Sequence, residues 1–291
     1  MKMKTILITG SSNGFGYLTA LTLARKGYNV WATMRDSNGK NKSKKEELEA
    51  IAIEENIAIT VAELDVTSDT STNTLLDRIR KEANGLDVLI NNAGVMYVGI
   101  TEAYSLEQVK EQFDTNFFGI VRTSKAFLPL LKKSSDGLIL NISSLAGRLV
   151  FPYFGIYCAS KFALEAYSEA LKYELKPLGI DVSVIEPGPY PSGLLHSGPK
   201  EDDTDILNSY GEMSSVPATM IQNFGDFYKS DASPDPQEIP DAILNLIEIE
   251  RGNRPLRQAV GIDYNTNDLN HKIAPIQESL IKDSLQMAHL I

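Results

Sequence analysis

Cysteine is almost missing: Cys158 is the only one in 291 residues, so no intrachain disulfide can form, which fits a reducing compartment. Histidine is nearly as scarce. His196, His271 and His289 lie far apart and outside any metal-ligand spacing, so no residue is assigned to a metal. A serine hydrolase is disfavoured on related grounds, because Ser144 sits in Ile142-Ser-Ser-Leu145 rather than in a G-x-S-x-G turn and no histidine belongs to that strand end. Positive charge is in deficit: 28 Lys and Arg against 38 Asp and Glu leave a net charge of −10. Nucleic acids and anionic membranes need a basic surface, so neither is an expected partner. Long apolar runs are absent too. After Met1-Lys-Met-Lys4 comes only Ile6-Leu-Ile8, too short for a signal-peptide core or a membrane span, and the expectation is a soluble, cytoplasmic protein. No composition shift marks a linker, and the length suits one large α/β domain.

What is present is an alternation of short apolar runs and longer stretches of helical period. Strands are expected at 4–9, 29–34, 57–64, 86–90, 138–143, 181–185 and 258–261, and helices over 17–27, 70–84, 105–131, 154–175 and 240–250. The sequon Asn141-Ile-Ser143 falls in one of these strands and is discounted as a glycosylation site. Lys40, Lys42, Lys44 and Lys45 read as a solvated loop leading into a helix, with a supporting role near a bound phosphate as the alternative. Prolines 189, 191, 199, 217 and 234 and the acidic run Glu201-Asp-Asp-Thr-Asp205 break periodicity over 189–235, predicting a mobile lid with one or two short helices.

Three stretches carry chemistry. The first strand runs straight into Gly10-Ser-Ser-Asn-Gly14-Phe-Gly16 and then a helix, and glycines there let backbone N–H groups approach a pyrophosphate at the helix N-terminus. The second strand ends in Met34-Arg35, where a basic side chain suits the 2′-phosphate of NADP(H); Asp36 beside it keeps NAD(H) as the alternative. Tyr157 and Lys161 share a helix face, one turn apart. An ammonium beside a phenol of ordinary pKa about 10 favours the phenolate, making Tyr157 a usable acid and base, and Ser144 at a strand end is placed to bond the same substrate oxygen.

The glycine turn, the segment Asn91-Asn-Ala-Gly94 and the set Ser144, Tyr157-x-x-x-Lys161 occur in the order that marks the short-chain dehydrogenase/reductase family, and the chain resembles that family over roughly residues 4 to 260. The resemblance implies a Rossmann-type fold, a doubly wound and mostly parallel α/β sheet, over 1–262. The substrate lid would lie at about 189–235 and a partly helical tail at 263–291. It implies that Thr9, Gly10, Ser12, Asn13, Gly14, Phe15 and Gly16 hold the dinucleotide with Arg35, Asn92, Ala93, Gly94, Tyr157 and Lys161. Asp65 and Val66 match the adenine-contacting position, although Asp65 also reads as a turn or cap before the next helix. Pro187, Gly188, Tyr190 and Ser192 would lie near the nicotinamide, with Ser192 where many relatives have threonine.

In the mechanism so implied, Tyr157 is the proton donor and Ser144 its partner on the substrate oxygen. Lys161 holds the nicotinamide ribose, and Asn116 holds a water that links Lys161 to solvent. Met96, Leu145, Tyr153 and Leu194 are the expected substrate contacts, joined by Val98, Leu195, Tyr210, Phe224 and Phe227, a largely apolar set that favours a hydrophobic ketone, aldehyde or secondary alcohol. The run from Tyr157 to Glu165, with Ala32-Thr-Met-Arg35, resembles the branch that includes hydroxysteroid and retinol dehydrogenases. Relatives pair through two long helices, so a homodimer or homotetramer is expected. The tail stretch 276–285 is amphipathic and is expected to pack on the body or on a partner subunit. A cofactor-sensing regulator without turnover is the rival from another class; it is disfavoured because both Tyr157 and Lys161 remain.

Overall fold

The strand β1 (Thr5–Ile8) shows how the core is divided. Side chains alternate along a strand, so Ile6 and Ile8 join an apolar cluster on one face of the sheet and Leu7 a cluster on the other, all fully buried. Each such aliphatic side chain contributes roughly 1.5–3 kcal/mol on burial. In this computed structural model, which describes residues 3–83 and 85–291, β1 is joined by β2 (Asn29–Met34), β3 (Ile59–Glu63), β4 (Val88–Asn91), β5 (Gly137–Ile142), β6 (Ile180–Pro187) and β7 (Arg257–Val260). The order is β3-β2-β1-β4-β5-β6-β7 and every pairing is parallel. The winding reverses between β1 and β4, so their carboxyl ends diverge into a crevice.

Helices cover both faces. On the side of Ile6 lie α1 (Gly14–Arg25), α2 (Lys42–Glu54) and α9 (Glu238–Glu248), and on the side of Leu7 lie α3 (Asp69–Glu82), α5 (Gly119–Leu131) and α6 (Gly155–Leu175). The remaining helices are α4 (Leu106–Phe113), α7 (Thr204–Ser209), α8 (Val216–Phe227) and α10 (Thr266–Ser279). Among the described residues no helix is long and apolar enough to cross a membrane.

Four expectations need correction. The helix over 105–131 is α4 and α5 joined by a π-helical turn, Asp114–Phe118; the widened turn accompanies the inward-facing Asn116, which is bonded to Val95 and Ser160. Lys42, Lys44 and Lys45 lie on α2, not in a loop, and Lys44 pairs with Glu47. The third helix ends at Glu82, and the expected end, Asn84, lies outside the described residues. The tail helix starts at Thr266, ahead of the expected 276–285, within which Ile281 is buried but Ile276, Leu280 and Leu285 are exposed.

The lid is tied down through its acidic run. Glu201 Oε1 accepts the Ile100 amide at 2.8 Å, Asp202 Oδ2 accepts the Ser105 hydroxyl at 2.8 Å, and Gln108 Nε2 donates to the Lys200 carbonyl at 2.7 Å. Asp203 caps α7 by accepting the Ile206 amide at 2.9 Å. The lid holds α7, α8 and two short 3-10 turns, Gly193–His196 and Gly211–Ser215.

Candidate active site

A cleft of about 480 Å³ opens at the carboxyl edge of the sheet. Its nucleotide end is the turn between β1 and α1, lined by Gly10, Ser12, Asn13, Gly14 and Phe15. Gly10 has φ +71°, and a Cβ there would stand 2.8 Å from Ala93 Cα; one on Gly16 would run into the Gly10 carbonyl and the Asn92 carboxamide. Thr9 and Gly16 therefore shape the turn from beneath rather than line the cleft. Thr9 Oγ1 accepts the amides of Asn92 at 2.9 Å and Ala93 at 3.0 Å, and Asn92 Nδ2 donates to the carbonyls of Thr9 at 2.9 Å and Gly10 at 2.8 Å.

The N-terminus of α1 has no side-chain cap and no acidic residue in its first turn. Ser68 on α3 and the Ser105/Gln108 box on α4 do supply such caps, whereas α2, α6, α8, α9 and α10 share the uncapped start of α1, which is set apart by the glycine turn that opens it at the cleft. Free amides and the positive helix end facing the cleft suit a phosphate, so the donor set fits a dinucleotide. Arg35, Lys40 and Asn41 line the cleft beyond β2. Asp36 does not line it; in a left-handed conformation at φ +50°, it accepts the Lys40 amide on its carboxylate at 2.8 Å. Asp65 forms the expected turn, its Oδ1 accepting the Thr67 amide at 2.9 Å, and lines the cleft with Val66.

Ser144, Tyr157 and Lys161 line the same cleft, together with Ala93, Gly94, Pro187, Gly188, Tyr190 and Ser192. Ser144 follows β5, and Tyr157 and Lys161 sit on α6, only 3% and 4% exposed. The Lys161 ammonium is 5.7 Å from the Tyr157 ring centroid and donates to the Ile142 carbonyl at 2.8 Å. Burial pushes the Tyr157 phenol above its ordinary value, partly offset by the Ser144 hydroxyl, and burial lowers the Lys161 ammonium to about 8 against support from Glu165. The downward shift expected for Tyr157 is thus reversed here, because desolvation outweighs its neighbours. Asn116 stands behind this set, fully buried and off the cleft. Its Oδ1 accepts the Val95 amide at 2.8 Å, and its Nδ2 donates to the Val95 carbonyl at 2.8 Å and to Ser160 Oγ at 3.1 Å. The observed contacts of Asn116 join the end of β4 to α6.

The expected substrate end has both apolar and polar side chains. Met96, Leu194 and Leu195 line it, and Val98 packs against the cluster of Phe154, Tyr157 and Cys158. Leu145 does not line the cleft: it is buried in the turn after Ser144. Tyr153 is also outside, held at φ +67° with its carbonyl accepting the Gly99 amide at 2.9 Å. Tyr210 anchors the lid instead, donating to Glu102 at 2.8 Å. Phe224 and Phe227 line a neighbouring cavity of about 250 Å³ with Met220, Ile262 and Tyr264. Sequence reading missed Tyr228, His196, Ser197 and Thr115 in the cleft wall; none belongs to a motif, and only the fold brings them there. Tyr190 has a structural load as well, donating to Glu238 at 2.7 Å and meeting Phe15 edge-on at 5.5 Å between ring centroids. Among the described residues no group of three His, Cys, Asp or Glu is arranged to hold a metal.

Comparison with known proteins agrees with this geometry. Residues 4–202 match the short chain dehydrogenase family profile. The chain is 35% identical over 263 residues to a 3-ketodihydrosphingosine reductase of Bacteroides thetaiotaomicron, covering 90% of this chain and 89% of the relative. It is 39% identical over 272 residues to human (Homo sapiens) retinol dehydrogenase 8, covering 90% and 82%. The crystal structure of a short-chain dehydrogenase from Streptomyces avermitilis superposes with a TM-score of 0.75 at 28% identity, covering 96% of each chain. The protein belongs to the short-chain dehydrogenase family.

Proposed function

We propose that the protein is an NADP(H)-dependent oxidoreductase interconverting an apolar ketone or aldehyde and its alcohol. The observation that carries this reading is the convergence of Ser144, Tyr157 and Lys161 on the cleft that also receives the uncapped end of α1. A bound nicotinamide supplies or accepts the hydride. The chain's own residues manage the oxygen and its proton. In reduction the Tyr157 phenol gives its proton to the carbonyl oxygen, and Ser144 donates a second hydrogen bond to that oxygen. Burial keeps the phenol protonated near neutral pH, the form that reduction requires. Lys161, lowered to about 8, stays largely charged at pH 7 and favours the phenolate left behind. Tyr157 and Lys161 would hold the nicotinamide ribose, and Arg35, with Lys40 nearby, the 2′-phosphate.

The preference for NADP(H) rests on Arg35 and Lys40 lining the far end while the Asp36 carboxylate is engaged by its own turn. A charge-assisted hydrogen bond to phosphate is worth about 1.5–3 kcal/mol, or roughly ten- to a hundredfold in affinity. Two of the relatives are named for a ketone reductase and an alcohol dehydrogenase, the two directions of this one reaction. The test is nicotinamide absorbance with a panel of aliphatic and aromatic ketones and aldehydes. NADPH should be consumed at least tenfold more efficiently than NADH. Tight cofactor binding without consumption of either would leave the sensing role instead.

A further inference from the structure

Beside the cleft lies a buried set of charges that the reaction above does not use. Glu186 is fully buried on β6, immediately before Pro187 and Gly188 of the cleft wall. Its Oε2 accepts a hydrogen bond of 2.6 Å from Asn270 Nδ2, and Asn270 Oδ1 accepts one of 2.8 Å from Arg148 Nε. Arg148 closes the turn Leu145–Gly147 that follows Ser144. From β7, Arg257 donates to Glu165 at 2.8 Å and to Glu169 at 2.7 Å, and stands 3.7 Å from Glu186 Oε1. Glu165 lies one helical turn beyond Lys161, whose charge it supports. Three carboxylates thus face two guanidiniums, and among the described residues Oε1 of both Glu165 and Glu186 has no hydrogen-bond partner. Buried ion sets are a poor source of stability, because desolvation offsets their attraction; what this one supplies is a fixed arrangement of the segments it joins.

Asn270 is the neutral link, and it comes from α10, outside the residues matched by the family profile. We propose that Asn270, by joining Arg148 to Glu186, is a positioning residue for the turn that carries Ser144 and for the Pro187-Gly188 wall, so that the tail helix is a working part of the active site. The consequence for turnover rests on the oxidoreductase reading above; the positioning rests on the geometry alone. Without the carboxamide, Glu186 Oε2 and Arg148 Nε lose their partners. Arg148 Nε, already 3.9 Å from Glu186 Oε1, would then move onto it and draw the turn along.

The test uses the full chain with Asn270→Ala and Asn270→Asp. The amides of Gly147, Arg148 and Leu149 are hydrogen-bonded within the turn, so their hydrogen exchange reports its stability. Asn270→Ala should speed that exchange about tenfold while the strands stay protected, and should lower kcat about tenfold with NADPH affinity within threefold. Burial and the Glu165 charge hold the Glu186 carboxyl up at about 7, against Asn270, Arg257 and Arg148, so losing the Asn270 donor shifts any acid limb of kcat to higher pH. Asn270→Asp keeps the side-chain volume and the acceptor for Arg148 but not the donor to Glu186. It sets a second carboxyl against Glu186 and so breaks the join at that end; it should loosen the turn as Asn270→Ala does and shift that limb further to higher pH. Parent-like exchange, kcat and pH profile in both variants would overturn the proposal, as would loosening spread evenly over the sheet. A parent protein that turns over no carbonyl, with the turn still loosened in Asn270→Ala, would sink the oxidoreductase reading and leave the positioning standing.

Discussion

At its nucleotide end the cleft is walled by strand ends and one glycine turn, with backbone amides of α1 exposed to it and Asn92 bracing the turn. At its substrate end the wall is made of lid side chains such as Leu194, Leu195 and Tyr228, and the lid is tied by hydrogen bonds from residues 200–203 to residues 100–108. The first end depends on backbone shape, which one added methyl group can spoil. The second depends on several separable contacts, so its losses should be graded. A site of this kind can keep one cofactor while its substrate wall varies.

Substitutions at the two ends should separate these behaviours. Gly10→Val places a β-branched residue at φ +71° with its Cβ against Ala93. The left-handed strain and overpacking together amount to about 3 kcal/mol, and cofactor affinity, read by nicotinamide fluorescence, should fall on the order of a hundredfold. Arg35→Ala should reduce the preference for NADPH over NADH by about tenfold or more without lowering NADH affinity. At the other end, Glu201→Ala removes the acceptor of the Ile100 amide. It should raise KM for the carbonyl about tenfold while the cofactor dissociation constant stays within about twofold. A cofactor effect as large as the KM effect would erase the contrast.

The smallest effect is on stability. Burial holds Glu186 at about 7, above the ordinary 4.5. A group raised in the folded state contributes stability that is complete below its unfolded pKa and is lost as pH rises through its folded one. Urea midpoints of the parent should therefore decline relative to Glu186→Gln as pH goes from about 5 to 8. A constant gap across that range would mean that Glu186 does not titrate there.

The same contrast explains what the sequence revealed. The glycine turn, Asn91-Asn-Ala-Gly94 and Tyr157-x-x-x-Lys161 are local patterns, because strand-to-helix turns and helix faces are set by residues close in the chain. All seven strands were legible for the same reason. The lid ties were not, since Glu201 and Ile100 are 101 positions apart and nothing local marks them as partners. Leu145 and Tyr153 were misassigned because proximity in sequence to Ser144 and Tyr157 says nothing about which way a turn points. The π-helical turn at Asn116 was hidden because one widened turn barely disturbs a helical period. The rise in the Tyr157 pKa was missed because the Tyr-Lys spacing shows the neighbouring charge and not the depth of burial.

The central claim is that Tyr157 moves the proton in a cleft whose other end holds the cofactor. Tyr157→Phe, assayed for turnover and for NADPH binding on the same preparation, tests it most directly. General acid catalysis of this kind contributes about 10²- to 10⁴-fold, so kcat should fall by at least about a hundredfold while NADPH still binds. Turnover at the parent rate would contradict the account.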